Sequence, residues 1–158
     1  MAIWKQLHVL LPDGWYEVPG ERPRQYRRAA AGSGVLTLGM VPPFASLASV
    51  RNDDELDDAL LEQLAEAADA SDAGEPLSCW TGPCTYGRFA TGLFKNAGRG
   101  KFVRLWILAP SVGSSPPDST PGVIANFVSS RRPVDGDDSD DAQSIVESVE
   151  LRDSEPRL

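Results

Sequence analysis

The sequence predicts an α+β fold, an antiparallel sheet of about six strands with two helices packed on it. Three observations predict it. Short apolar segments bounded by Pro, Gly and Asn recur along the chain, and consecutive ones are joined by short loops. Only two stretches, after Asn52 and after Asp135, carry apolar residues at helical spacing. The resulting order is strands, one helix, a run of strands, one helix, with no internal repeat.

Gln6–Leu11 reads as a first strand, ending at the turn signal Pro12-Asp13-Gly14. Trp15–Val18 resumes the chain before Pro19-Gly20. Gln25–Ala30 and Val35–Val41 flank Gly32-Ser33-Gly34 at the spacing of a hairpin. Leu36, Leu38 and Met40 share one face of the second of these strands. Asn52 is an N-cap residue, and Glu55 completes the capping-box pattern. Leu56, Leu60 and Leu64 then form the apolar stripe of a helix that fades near Ala70. Leu77–Thr81 is a short strand that ends at a Gly82-Pro83 turn. Thr85–Phe94 and Lys101–Ala109 make a long hairpin, and the unbroken apolar run Leu105–Ala109 marks a strand covered on both faces. After a Ser/Pro/Gly loop, Pro110–Pro121, comes a last strand, Val123–Ser129. Asp135–Asp141 opens the final helix, with Ala142, Ile145, Val146 and Val149 on one face. Residues 1–151 thus form one domain, and 152–158 read as a flexible tail.

A chain of 158 residues can bury enough surface to fold without disulfides or metal. A net charge of −8 disfavours nucleic acid and anionic membrane as partners. The N-terminal residues lack the pattern of a secretory signal, and no apolar run is long enough to span a bilayer. The expected setting is cytoplasmic, in a layout that suits a bacterial protein.

The pattern resembles the PsbP-like superfamily. The residues that carry the resemblance are Leu11-Pro12-Asp13-Gly14-Trp15, the strand pair before the Asn52 helix, Tyr86-Gly87-Arg88 in the long hairpin, and Ser144–Val149. It covers about residues 6–151 and rests mainly on element order. The superfamily includes the photosystem extrinsic protein, a nuclear Ran-binding protein and small bacterial proteins, some of them chaperones for type VI secretion effectors. The resemblance implies an α/β/α sandwich and a scaffold for binding proteins. It supplies no catalytic residues.

The residues themselves give no catalytic set. His8, the single histidine, has no Ser, Cys or Asp near it in sequence to complete a nucleophile motif and reads as a strand residue. Ser33 fails the G-x-S-x-G pattern and reads as a turn. Cys79 and Cys84 are not spaced for zinc. If the four residues between them made a hairpin loop, the two would face each other at disulfide range, although a reducing compartment keeps them as thiols. Asp135, Asp137 and Ser139 match the first ligands of an EF-hand, but Asp140 and Val146 stand where Gly and Glu are required. No cofactor or metal is therefore expected. Trp15, Trp80 and Trp106 read as core or sheet-face residues, and Trp4 as a contact to the sheet edge or to a partner.

Charge is the most informative feature. Residues 51–75 hold ten carboxylates and one base, and residues 135–155 hold nine and one. Residues 78–132 hold seven bases and one acid. Acidic helices lie against a basic sheet, so the cations either neutralise the helices or form a surface for an anionic partner. Arg88, Arg99, Lys101 and Arg104 are the candidate contacts. The expected function is a non-enzymatic protein-binding module, an adaptor or secretion-effector chaperone with a protein partner of unknown identity. The alternative is an enzyme or small-anion binder with a basic sheet-face cleft, in which Arg88 and Arg104 hold the substrate as a pair. Leu77–Thr81 carries no charge, so if it lies at a sheet edge it invites a weak homodimer through Trp80.

Overall fold

The structure, a computed structural model, describes residues 4–21, 23–28, 34–113, 120–129 and 138–154, with backbone only at 4, 5, 138, 139, 153 and 154. Nine strands are described: β1 (Trp4–His8), β2 (Trp15–Glu17), β3 (Arg24–Arg28), β4 (Val35–Val41), β5 (Glu75–Cys84), β6 (Gly87–Asn96), β7 (Lys101–Ala109), β8 (Gly122–Ser129) and β9 (Glu150–Ser154). Helix α1 is Asp53–Ser71 and α2 is Asp138–Glu147. Seven strands form one antiparallel sheet in the order β2-β3-β4-β8-β7-β6-β5, one more than the sequence predicted. The other two, β1 and β9, pair antiparallel as a ribbon of their own.

The sheet is the middle layer of a sandwich. Side chains alternate across it, so each strand feeds two cores. On one face Trp15, Tyr26, Leu36, Leu38, Trp106, Leu108 and Phe127 meet Ala142, Ile145 and Val146 of α2 and Leu7 of β1. On the other face Ala90, Phe94, Leu105 and Ile107 meet Leu56, Leu60 and Leu64 of α1. The α+β class, with two helices on an antiparallel sheet, is as the sequence predicted. The capping signal also works locally: Asn52 Oδ1 accepts from the Glu55 N–H at 2.9 Å. Glu55 returns its carboxylate one residue further back than a capping box does, to the Arg51 N–H.

Two expectations are overturned. Gly82-Pro83 is not a turn: β5 runs through it, and the chain reverses at Thr85-Tyr86 instead. Gly82 is needed in the strand because the Phe89 ring lies where its Cβ would be, at 2.9 Å. Pro83 is tolerated because β5 is an edge strand. Second, residues 152–154 are not tail but the end of β9, where Arg152 lies opposite Gln6; no periodicity in five polar-rich residues could announce a strand whose partner is β1. With no hairpin between them, Cys79 and Cys84 lie on one strand five residues apart, hence on opposite faces, and both are free thiols, the state favoured in the sequence reading. Burial pushes both thiols up from their ordinary pKa. Ala29, Ala30, Ser33, and the Asp135 and Asp137 of the EF-hand comparison lie outside the described residues.

Candidate functional site

The predicted cations fall in three separate places. Arg88 sits near the start of β6, on the face that carries α1. There its Nε and Nη2 donate to the Asp57 carboxylate at 3.0 and 2.7 Å, a two-point grip on the helix. Its hydrogen bonds to the Asp57 carboxylate raise the Arg88 pKa above the ordinary value. Thr81 Oγ1 donates to the same carboxylate.

Arg104, from the middle of β7, points to the opposite face and is only 7% exposed. Its guanidinium lies between two indoles, 4.8 Å from the ring centres of both Trp80 and Trp106. Nη2 donates to Gln143 Oε1 of α2 at 2.6 Å, and the same oxygen accepts from Trp106 Nε1 at 2.8 Å. Burial draws the Arg104 pKa down to about 10, opposed by the carboxylates of Asp140 and Glu147. Arg104 is thus a structural cation that ties α2 to the sheet. Because Arg88 and Arg104 occupy opposite faces, they cannot hold one substrate between them, and the paired-arginine cleft is not formed.

Arg99 and Lys101 differ. Both are exposed, at the β6–β7 hairpin, and among the described residues neither makes an ion pair. They form the rim of a groove of about 330 Å³ on the α1 side of the sheet. Val103, Leu105, Asn126 and Val128 form its floor, and Ser71 and Asp72 at the end of α1 form its wall. The groove exists because α1 packs over β5, β6 and β7. Beyond it the same face of β8, β4 and β3 is only half-buried: Val128, Val35 and Thr37 lead outward to the exposed Arg27 and Tyr16. Asn96 braces the wall, donating from Nδ2 to the Asp72 carbonyl at 2.7 Å. Asp72 adopts a left-handed conformation, φ 54°, which closes the helix.

The sequence picks out Arg99, Lys101 and the basic group that contains Arg27, but not Asn126 or the groove floor. The floor is built from β7 and β8, and no spacing in the chain shows that Val103 and Val128 are neighbours. Trp15 and Trp106 are core residues, whereas Trp80 is 43% exposed on the terminal strand. His8 is a half-exposed strand residue with Nδ1 3.8 Å from Glu150 Oε1.

No group of three or more His, Cys, Asp or Glu side chains suited to a metal ion occurs among the described residues. No buried side-chain polar atom there lacks a hydrogen-bond partner. No helix among them is long and apolar enough to cross a membrane.

Fold and site together define a class: an α+β sandwich whose antiparallel sheet is only half covered on one face. No protein-family model matches the chain, and no curated protein matches it significantly. Among solved structures it is similar to the solution structure of cyanobacterial PsbP (CyanoP) from Synechocystis sp. PCC 6803. That likeness spans 95% of this chain and 92% of the other, at 13% identity and a TM-score of 0.48.

Proposed function

We propose that the chain is a non-enzymatic protein-binding module that takes an acidic, partly apolar segment of its partner along the open half of the sheet. The observation that carries this reading is the contrast among the cations. Those under the helices are held internally, Arg88 by Asp57 and Arg104 by Gln143 and two indoles, whereas Arg99 and Lys101, with Arg27 beyond, stand over a largely apolar floor. Such a surface suits a chain segment that alternates carboxylates with aliphatic side chains. In a cytoplasmic setting the module would serve as an adaptor or as a chaperone for a secreted effector.

Calorimetry with a synthetic peptide of alternating Glu and Leu, and with a Lys/Leu peptide of the same length, tests the reading. The acidic peptide should bind, and more weakly as salt rises. Arg99→Glu with Lys101→Glu should weaken it by at least about tenfold, equivalent to about 1.4 kcal/mol. Equal binding of the two peptides, or an acidic peptide indifferent to the double reversal, would refute the groove as the site.

A further inference from the structure

We propose that the free edge of β5 is a self-association surface, on which a second copy of this chain pairs strand to strand around a two-fold axis centred on Trp80. It is a different surface from the groove and stands independently of it.

The two edges of the sheet are unlike. At one end lies β2, only three residues long, between Pro12 and Pro19. A short strand flanked by prolines resists addition of another strand. At the other end lies β5, ten residues long, with Leu77 44% and Trp80 43% exposed. Its only charged residue is Glu75 at the extreme start. Natural edges are protected by charge, prolines or bulges, and the middle of β5 has no charge and no proline.

The protective devices that β5 does carry define a window. At its start the register with β6 shifts between Pro76 and Ser78. Near its end Pro83 lacks an N–H to donate. Between them Ser78–Gly82 is a regular run of five residues, and its centre is Trp80. Two copies related by a two-fold axis must place residues of the same face opposite each other, since the axis stands perpendicular to the sheet. Residue numbers of facing partners must therefore sum to an even number. The register that keeps the whole window paired and excludes both interruptions places Trp80 opposite Trp80, Cys79 opposite Thr81 and Ser78 opposite Gly82. The single carboxylate of each strand, Glu75, stays outside the paired window, so no like charges meet within it.

Trp80 is prepared for this contact. Arg104 stacks against its ring and is itself held by Gln143 and Trp106, so little side-chain freedom remains to be lost on association. Two facing indoles add to the strand hydrogen bonds by aromatic contact. The short β2 edges at the outer ends of the resulting sheet would stop growth at two subunits.

Sedimentation over a concentration series, with a cysteine scan, reads the proposal. The wild-type chain should show a monomer–dimer equilibrium. Trp80→Lys should weaken it at least about tenfold, through the lost ring contact and the like charges placed opposite each other. Ser78→Lys, which leaves the Trp80–Arg104 stack in place, should weaken it as well. In a Cys79→Ser, Cys84→Ser background, oxidation should cross-link Trp80→Cys to itself, because directly opposed residues lie within disulfide range. Ser78→Cys should not cross-link, since it faces Gly82. A monomer at all concentrations would overturn the proposal, as would a dimer indifferent to both lysines or a cross-link stronger at 78 than at 80.

Discussion

The two halves of the sheet were built from similar residues and put to different use. Beneath α1, strands β6 and β7 are covered on both faces, and the cations there are committed: Arg88 to Asp57, Arg104 to Gln143 and two indoles. In the half made of β2, β3, β4 and β8, one face meets α2 and the β1–β9 ribbon, while the other remains half-buried and carries Thr37, Asn126 and Arg27. Arg99 and Arg104 are five residues apart in sequence yet belong to these two regimes. A cation is structural or available according to which layer covers it, and the layer is not written in the cation's own neighbourhood.

The largest expected effect lies under the helix. Leu60 is fully buried between α1 and the sheet, and Leu60→Ala should destabilise the fold by about 2–5 kcal/mol in denaturant titration. Thr37→Ala on the uncovered half should stay within about 0.5 kcal/mol. If the two changes prove equal, the halves are not differently covered and the comparison fails.

The ion pair gives a smaller contrast. Arg88 and Asp57 are about four-fifths buried as side chains, at 22% and 18% exposure. Asp57→Ala removes the acceptor of Arg88 and Thr81 together and should cost about 1–2 kcal/mol. The rim residue Arg99, changed to Ala, should leave stability unaltered within about 0.5 kcal/mol. A loss at Arg99 as large as at Asp57 would show that the rim cation is structural too.

The smallest effect appears only at alkaline pH. Tyr86, at the turn into β6, donates its hydroxyl to the Pro121 carbonyl at 2.5 Å, and burial raises its pKa to about 12, with Cys84 adding to the rise. The folded value lies above the unfolded one, about 10. The stabilisation from this group is therefore complete below about pH 10 and lost as pH rises through about 12. Arg104 acts in the opposite sense over the same range, because burial lowers its pKa to about 10. The comparison of wild type with Tyr86→Phe isolates the tyrosine: their denaturation midpoints should differ most below pH 10 and converge above it. A constant difference across that range would assign the loss to packing alone.

Local signals in the sequence were sufficient for the elements they govern. The span of β4, the span of β7, the cap of α1 at Asn52 and the buried face Ala142-Ile145-Val146 all follow from periodicity or capping chemistry acting within a few residues. The acidic helices and the basic sheet were likewise legible as composition. Trp80 and the segment around it could be named as an edge hazard from residue type alone, on the condition that the strand proved terminal, and β5 is terminal.

What the tertiary structure decided is which strands are neighbours. It placed β8 between β4 and β7, although residues 42–121 separate β8 from β4 in sequence, and it paired β9 with β1 from opposite ends of the chain. It carried β5 straight through Gly82-Pro83, because the Phe89 ring and an edge position make those residues acceptable there. It set Arg88 and Arg104 on opposite faces and left Arg99 and Lys101 over a floor drawn from two strands. The physical reason is one of range. Caps, turns and hydrophobic periods act on residues a few positions apart, whereas strand order is selected by the burial of whole faces against each other, and only that selection determines which charges remain for a partner.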